Sequence, residues 1–420
     1  MSLHPPRRRP WRVPVSWGLL DQGFSSATNF ALTVIAARFT GPRGLGVVYI
    51  GFSIYLLALS FQRALITDPL VVVSSPLTAM ERQGAARASL TLVLGWGLAA
   101  TALMEAAARV IPGPVGHGLA LFAPWMLLAL IQDFWRSVLF RDGRGAAASL
   151  NDGTWLAVMA LMLILTRFTH ADWLIVAIWG VGASAGGLLG FLQSGLQPIS
   201  PLRAWRWWRK DAYRLSGWLG LENTLLMVQS QALVLLLVSV LGARDLGGLR
   251  AVESVFAPMT VMGAAIEMAG LPVLSKAFAT SFAAARKMAA RLSSLTIAAV
   301  VVYLLAAGLL RGPVLSEVFG RSFSRFSDLV LPIGVGQLIF AWGSGFWILA
   351  KACSQGRWLL LARAVSASSS LLLATVLAVA VGINGAAWGL AIGTGLGSAL
   401  ITYLCTRDRA GRHALSPMPA

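Results

Sequence analysis

Apolar stretches of about 20 residues, separated by short polar joints, recur along the whole chain. A helix needs ~20 apolar residues to cross ~30 Å of hydrocarbon, so each stretch is long enough for one crossing. The pattern predicts helices over 15–37, 45–66, 88–108, 117–139, 150–167 and 173–194, then over 215–241, 251–272, 292–310, 326–350, 358–381 and 384–405. Lipid cannot satisfy backbone amides, which selects helices, and the stretches are too long for the alternating strands of a membrane barrel. The expectation is an all-α polytopic membrane protein with about 12 transmembrane helices in two pseudo-symmetric six-helix lobes around a central cavity.

The halves share wording. Trp17, Asp21 and the turn Gly41-Pro42-Arg43-Gly44-Leu45-Gly46 are matched 201 positions later by Trp218, Glu222 and Gly242-Ala243-Arg244-Asp245-Leu246-Gly247, with no insertion between them. One offset for all the matches reads as an internal duplication. Six spans per copy is an even number, so both copies enter the membrane in the same direction, related by an axis along its normal.

Composition agrees with a membrane chain: 57% of residues are hydrophobic and 12% charged. The net charge of +18 raises nucleic acid as a partner, but the cations sit in the joints between apolar stretches, where they serve topology and anionic headgroups instead. With a cytoplasmic N-terminus, twenty-four of the thirty-four Lys and Arg fall on the cytoplasmic side and nine on the other, leaving Arg63 inside the second helix. That asymmetry places both termini inside. The domains expected are a basic tail 1–14, a first lobe 15–197, a basic and aromatic linker 198–214, a second lobe 215–405 and a basic tail 406–420. The linker, with its three tryptophans, suits a segment lying at the headgroups. Arg7-Arg8-Arg9 precedes a full-length span, which suggests a retained signal anchor. Cys353 and Cys405 form no metal spacing and read as inert thiols.

Polar residues inside the spans carry the functional signal. Asp21, Ser25, Thr28, Asn29 and Thr33 form one stripe down the first helix, and Glu222, Asn223, Gln229, Ser230 and Gln231 are polar over the same depth of the seventh. Such stripes face a bundle interior or a wet cavity, where they either join helices by hydrogen bonds or line a transport path. Asp21 and Glu222, about two turns from the cytoplasmic end, equally suit a gate or cation coupling. Gln62-Arg63 lies among apolar residues; the planar fork of arginine suits phosphate, although snorkelling or a pair with Asp68 also accounts for it. Gln132 and Arg136 share a face of the fourth helix, and Asp133 and Arg136 are placed to pair. Glu105, Glu253 and Glu267 lie in apolar surroundings without an assignable partner, and Glu267 in particular is a candidate proton carrier. No catalytic or metal-binding motif is apparent, and no joint exceeds about twenty residues, so the reading is a non-enzyme.

The opening from Asp21 to Asn29, the Gly41–Gly46 turn before a Tyr49-bearing helix, the Arg141-Asp142-Gly143-Arg144 joint and its echo Gln355-Gly356-Arg357 resemble the multidrug/oligosaccharidyl-lipid/polysaccharide exporter superfamily, within it the Wzx-like polysaccharide-export branch. The resemblance implies two six-helix lobes in a V and alternating access that moves a lipid-linked oligosaccharide to the outer leaflet of the bacterial inner membrane. It further implies a chain that works as a monomer beside polysaccharide-assembly partners, without a bound cofactor and driven by a proton or sodium gradient. Arg63, Arg136, Asn29, Gln62, Gln229 and Gln231 are then the substrate-binding candidates, and Asp21, Glu222 and Glu267 the gating or coupling candidates. Flippases of this kind hold pyrophosphate with several cations, whereas here Arg63 is the clear intramembrane one, with Arg38 and Arg136 near helix ends. Twelve spans rather than fourteen argue against the lipid II flippases. A cation-coupled drug or metabolite exporter, a membrane-embedded glycan transferase or ligase, and an assembly factor without transport are the rival readings.

Overall fold

The structure is a computed structural model that describes residues 15–74, 77–166, 171–213, 216, 230–309, 311–353 and 355–407. Residues up to Thr224 and from Leu225 onward form two compact units, with the turn Gly41–Gly46 counted in the second. Among the described residues nine helical stretches are long and apolar enough to cross a membrane, and one of them, Leu20–Ser74, runs for 55 residues. The chain is a multi-pass membrane protein.

The first unit opens with α1 (Val15–Gln62), whose 48 residues would reach about 72 Å if straight, more than two bilayer crossings. It is not straight. At Gly41 the backbone takes φ 69 and ψ −171, a conformation that favours glycine and that divides α1 into two crossings. Gly242, at the same repeat position in the second unit, takes φ 83 and ψ 167. The two glycines of the matched turns therefore share a backbone conformation, while Trp218 and Glu222 lie outside the described residues.

After α1 come a π-turn (Arg63–Thr67), α2 (Asp68–Ser74) and α3 (Ala79–Val110). Helix α3 begins nine residues before the predicted 88, because Thr78 and Glu81 form a capping box that satisfies the orphan amides of its first turn. The fourth predicted helix is broken into α4 (Gly113–Phe122) and α5 (Met126–Arg141) around a 3-10 turn at Ala123–Trp125, where Pro124 removes an amide. Then follow α6 (Gly145–Leu165), α7 (Asp172–Ser194) and the short α8 (Pro201–Trp207), which continues as a π-turn over Trp208–Ala212. Small residues let α7 approach closely: a Cβ on Gly180 would lie 2.0 Å from the Trp125 ring, and one on Gly190 2.5 Å from Trp135. Trp179 of α7 centres an aromatic cluster with Tyr55, Phe122 and Trp155 at ring separations of 5.2, 5.3 and 5.2 Å.

The joint after α5 is a clasp. Arg141, almost wholly buried, donates from Nη1 to Ser74 Oγ at 3.5 Å and to the Arg82 carbonyl at 3.4 Å, while Arg144 donates to the Gln193 carbonyl at 2.9 Å. His117 of α4 meets Asp172 of α7 at 2.7 Å.

The second unit holds α9 (Ser230–Leu241), α10 (Ala243–Val255) and α11 (Ala257–Thr280), the eighth predicted helix being divided at Phe256 ahead of Pro258. Next come α12 (Phe282–Leu309), the single turn α13 (Arg311–Val314), a π-turn (Leu315–Phe319), a 3-10 stretch (Arg321–Leu329), and α14 (Val330–Ala352). Helices α15 (Gly356–Val381) and α16 (Ile383–Arg407) close the unit. A glycine every four residues on α16 seats it against α15: Cβ atoms on Gly389, Gly393 and Gly397 would lie 2.4, 2.3 and 2.4 Å from Ala374, Ser370 and Ser366. The three acids expected to lack partners have them. Glu105 pairs with Arg109 at 3.0 Å, Glu253 with Arg250 at 3.7 Å, and Glu267 with Lys351. The first two partners lie within one helical turn; Lys351 comes from another helix, 84 positions away.

Candidate functional site: a polar cavity in the first unit

Pro69 sets the local geometry. The carbonyl of Leu65 would bond the amide four residues on, but Pro69 has none, and the chain opens into the π-turn that starts with Arg63. The freed Leu65 carbonyl is taken up by Trp208 Nε1 at 2.8 Å and by Ser216 Oγ at 3.0 Å.

Arg63 thereby reaches into a cavity of about 210 Å³ lined by residues of the first unit. Its walls come from α1 (Ser25, Thr28, Asn29, Tyr55), α5 (Gln132, Asp133, Arg136) and α6 (Asp152, Trp155). Ser25, Thr28 and Asn29, the middle of the polar stripe of the first predicted helix, thus face the cavity. Arg63 does not pair with Asp68. It grips Asp133 with both ends of one edge, Nε to Oδ2 at 3.0 Å and Nη2 to Oδ1. Arg136 is the hub of the second group: its Nε lies 2.5 Å from Asp21 Oδ2 and 3.6 Å from Asp152 Oδ2, and its Nη1 lies 3.8 Å from Asp133. The Asp133–Arg136 pair anticipated from i, i+3 spacing is therefore the longest of these contacts.

Neutral side chains hold the carboxylates in place. Gln132 Nε2 donates to Asp152 Oδ1 at 2.6 Å and to Asn151 Oδ1 at 2.9 Å, and Asn151 donates to the Gly186 carbonyl at 2.6 Å. Three carboxylates face two guanidiniums, so with every group ionised the cluster carries one uncompensated negative charge. Asp21 is 1% exposed and its Oδ1 has no hydrogen-bond partner among the described residues. A buried acceptor in that condition is costly, and it is also free to receive a cation. Among the described residues no grouping of His, Cys, Asp and Glu suffices for a metal ion.

The remaining candidates lie elsewhere. Gln62, fully buried, turns away from the cavity and donates to the Leu130 carbonyl at 2.9 Å, joining α1 to α5. Gln231 of α9 is buried, with its amide on Ser230 Oγ at 2.9 Å. Glu267 stands in the second unit with Lys351. Glu222 and Gln229 lie outside the described residues. Asp152, Asn151 and Tyr55 were not among the candidates; the adjacent Asn151-Asp152 within a predicted span was the signal available for two of them.

No protein-family model and no curated protein matches the chain. Solved structures do. A lipid II flippase MurJ in an inward closed conformation superposes with TM-score 0.73 at 12% identity, over 93% of this chain and 87% of its own. An inward-facing multidrug resistance MATE family transporter of the MOP superfamily gives 0.69 at 12% identity, over 92% and 97%. The chain has the fold of these transporters. A MOP superfamily transporter from Pyrococcus furiosus, described as having a binding pocket of reversed polarity, gives 0.61 at 14% identity over 93% of each chain.

Proposed function

We propose that the chain is a transporter, not an enzyme, that moves a lipid-linked oligosaccharide from the cytoplasmic to the outer leaflet of a bacterial inner membrane by alternating access. The observation that carries this reading is the half-engaged guanidinium of Arg63. Asp133 occupies Nε and Nη2, while Nη1 has no hydrogen bond to a described residue and the side chain stays 38% exposed at the cavity. A fork oriented on one edge and open on the other is prepared for a phosphate oxygen. The cavity is below the roughly 300 Å³ at which small-molecule pockets begin, so it suits a phosphate group and leaves most of the glycan outside it. Under this reading Arg136 assists Arg63, Asn29, Gln229 and Gln231 meet sugar hydroxyls, and Gln62 positions the helix that bears Arg63. The lipid tail stays in the bilayer, both termini are cytoplasmic, the chain works as a monomer, and enzymes of polysaccharide assembly supply its substrate.

The carboxylate excess supports cation coupling by Asp21, with Glu222, its counterpart in the sequence repeat, and Glu267 of the second unit as the further coupling acids. A proton or a sodium ion entering beside Asp21 would neutralise the cluster and loosen its hold on Arg136. The same excess supports a second reading, a cation-coupled multidrug or metabolite exporter.

The test is flipping in proteoliposomes of one glycan on two carriers, a pyrophosphate-linked lipid and a neutral one, with wild type beside Arg63→Lys. Wild type prefers the pyrophosphate carrier, and the lysine variant, which keeps the charge but loses the fork, reduces that preference by about tenfold or more. Equal transport of both carriers by wild type refutes the phosphate role. Gradient-driven uptake of a cationic dye that Asp21→Asn abolishes would favour the second reading.

A further inference from the structure

The stretch Pro201–Tyr213 is seated on the first unit at two points. Ile199, just ahead of it, gives its amide to Thr91 Oγ1 at 2.9 Å, and Trp208 bonds the Leu65 carbonyl at 2.8 Å. Ala204 and Ala212 are fully buried beneath it. The outward side mixes exposed aromatic and cationic side chains. Leu202, Trp205 and Tyr213 are 59, 49 and 58% exposed, and Arg203, Arg206, Arg209 and Lys210 are exposed around them with Asp211 as the one acid in the stretch. No carboxylate among the described residues forms an ion pair with any of those four cations. Trp205 stacks on Trp208 at 5.0 Å and 21°, and Trp208 meets the Tyr213 ring edge-on at 5.4 Å.

Tryptophan and tyrosine settle at headgroup depth, and lysine and arginine there draw anionic lipids. The geometry points to a docking surface for anionic phospholipid headgroups on Pro201–Tyr213, linked to the cavity through the bond from Trp208 to Leu65. A headgroup held by Arg203, Arg206 and Lys210 fixes Trp205. The stacked Trp208 is then held on the Leu65 carbonyl, two residues beyond Arg63 in the same π-turn. With the helical donor withheld by Pro69, the Leu65 carbonyl is held from outside its own helix, by Trp208 together with Ser216. Anionic lipid thereby stiffens the turn that aims Arg63, whatever the chain transports.

The experiment is hydrogen–deuterium exchange on the full chain in nanodiscs of phosphatidylcholine alone and of phosphatidylcholine with phosphatidylglycerol. In wild type, phosphatidylglycerol slows amide exchange at 202–213 and at 63–68 by roughly fivefold or more, the factor expected from one cation at an anionic surface. Arg203→Gln/Arg206→Gln/Lys210→Gln exchanges like wild type in phosphatidylcholine and loses both effects of phosphatidylglycerol. Trp208→Phe keeps the cations and the protection at 202–213 but loses the protection at 63–68. Equal exchange of wild type in the two discs, or full protection in the triple variant, overturns the docking surface. Undiminished protection at 63–68 in Trp208→Phe overturns the link to Arg63.

Discussion

Arg63→Met removes the charge that balances Asp133 and keeps an apolar chain of similar length. The Asp133 side chain is 5% exposed, and its remaining cation is Arg136 at 3.8 Å, already shared with Asp21 and Asp152. Deleting one partner of a buried pair typically costs about 3–5 kcal/mol, because the other charge stays behind without compensation. The reverse deletion is milder. After Asp133→Leu, Arg63 is still 38% exposed at the cavity and can be solvated there, so the loss is nearer to about 1–3 kcal/mol. Arg63→Met/Asp133→Leu strands neither group and falls short of the summed costs by about 2 kcal/mol or more. SDS titration of the purified chain in mixed micelles, followed by tryptophan fluorescence, measures all four species. Equal costs for the two single variants, or an additive double variant, would refute the picture of a desolvated pair open on its arginine side.

Arg141→Gln, which removes the clasp on Ser74 and the Arg82 carbonyl, is expected to cost about 1–3 kcal/mol in the same titration, and Arg144→Gln, on an exposed bond, less than 1 kcal/mol. Gly393→Leu pushes a side chain into Ser370, where even a Cβ would lie 2.3 Å from Oγ; the expected loss is about 1–3 kcal/mol, and unchanged melting would contradict the close α15–α16 seat. Burial pushes the Cys353 thiol up to about 11, so the reactive thiolate is scarce at neutral pH and maleimide labelling should accelerate about tenfold per pH unit between 7 and 10. Cys405 is fully buried and should stay unlabelled in the folded chain, as mass mapping of the adduct would verify.

Much of the fold was legible because a bilayer constrains sequence so strongly. Span lengths and the duplicated turn followed from apolar run length and a fixed offset, and the polar stripe of Ser25, Thr28 and Asn29 marked a cavity wall through helical periodicity alone. The pairings were not legible. Arg63 and Asp133 stand 70 positions apart, and the choice of Asp133 over the nearby Asp68 is made by helix packing, which leaves no local trace. Gln62 and Arg63 are neighbours in sequence, yet about 100° apart around the helix, so one faces Leu130 and the other the cavity. Helix breaks were recoverable in principle: Pro69, Pro124 and Pro258 each fall at the interruption they cause.

Transport of a lipid-linked glycan is tested most directly by reconstituting the wild-type chain in proteoliposomes loaded with a fluorescent undecaprenyl-pyrophosphate-linked oligosaccharide and following its arrival in the opposite leaflet by a membrane-impermeant quencher. The account predicts flipping above protein-free vesicles, faster when a proton or sodium gradient is imposed. Folded protein that leaves the glycan lipid in its original leaflet under both gradients would contradict it.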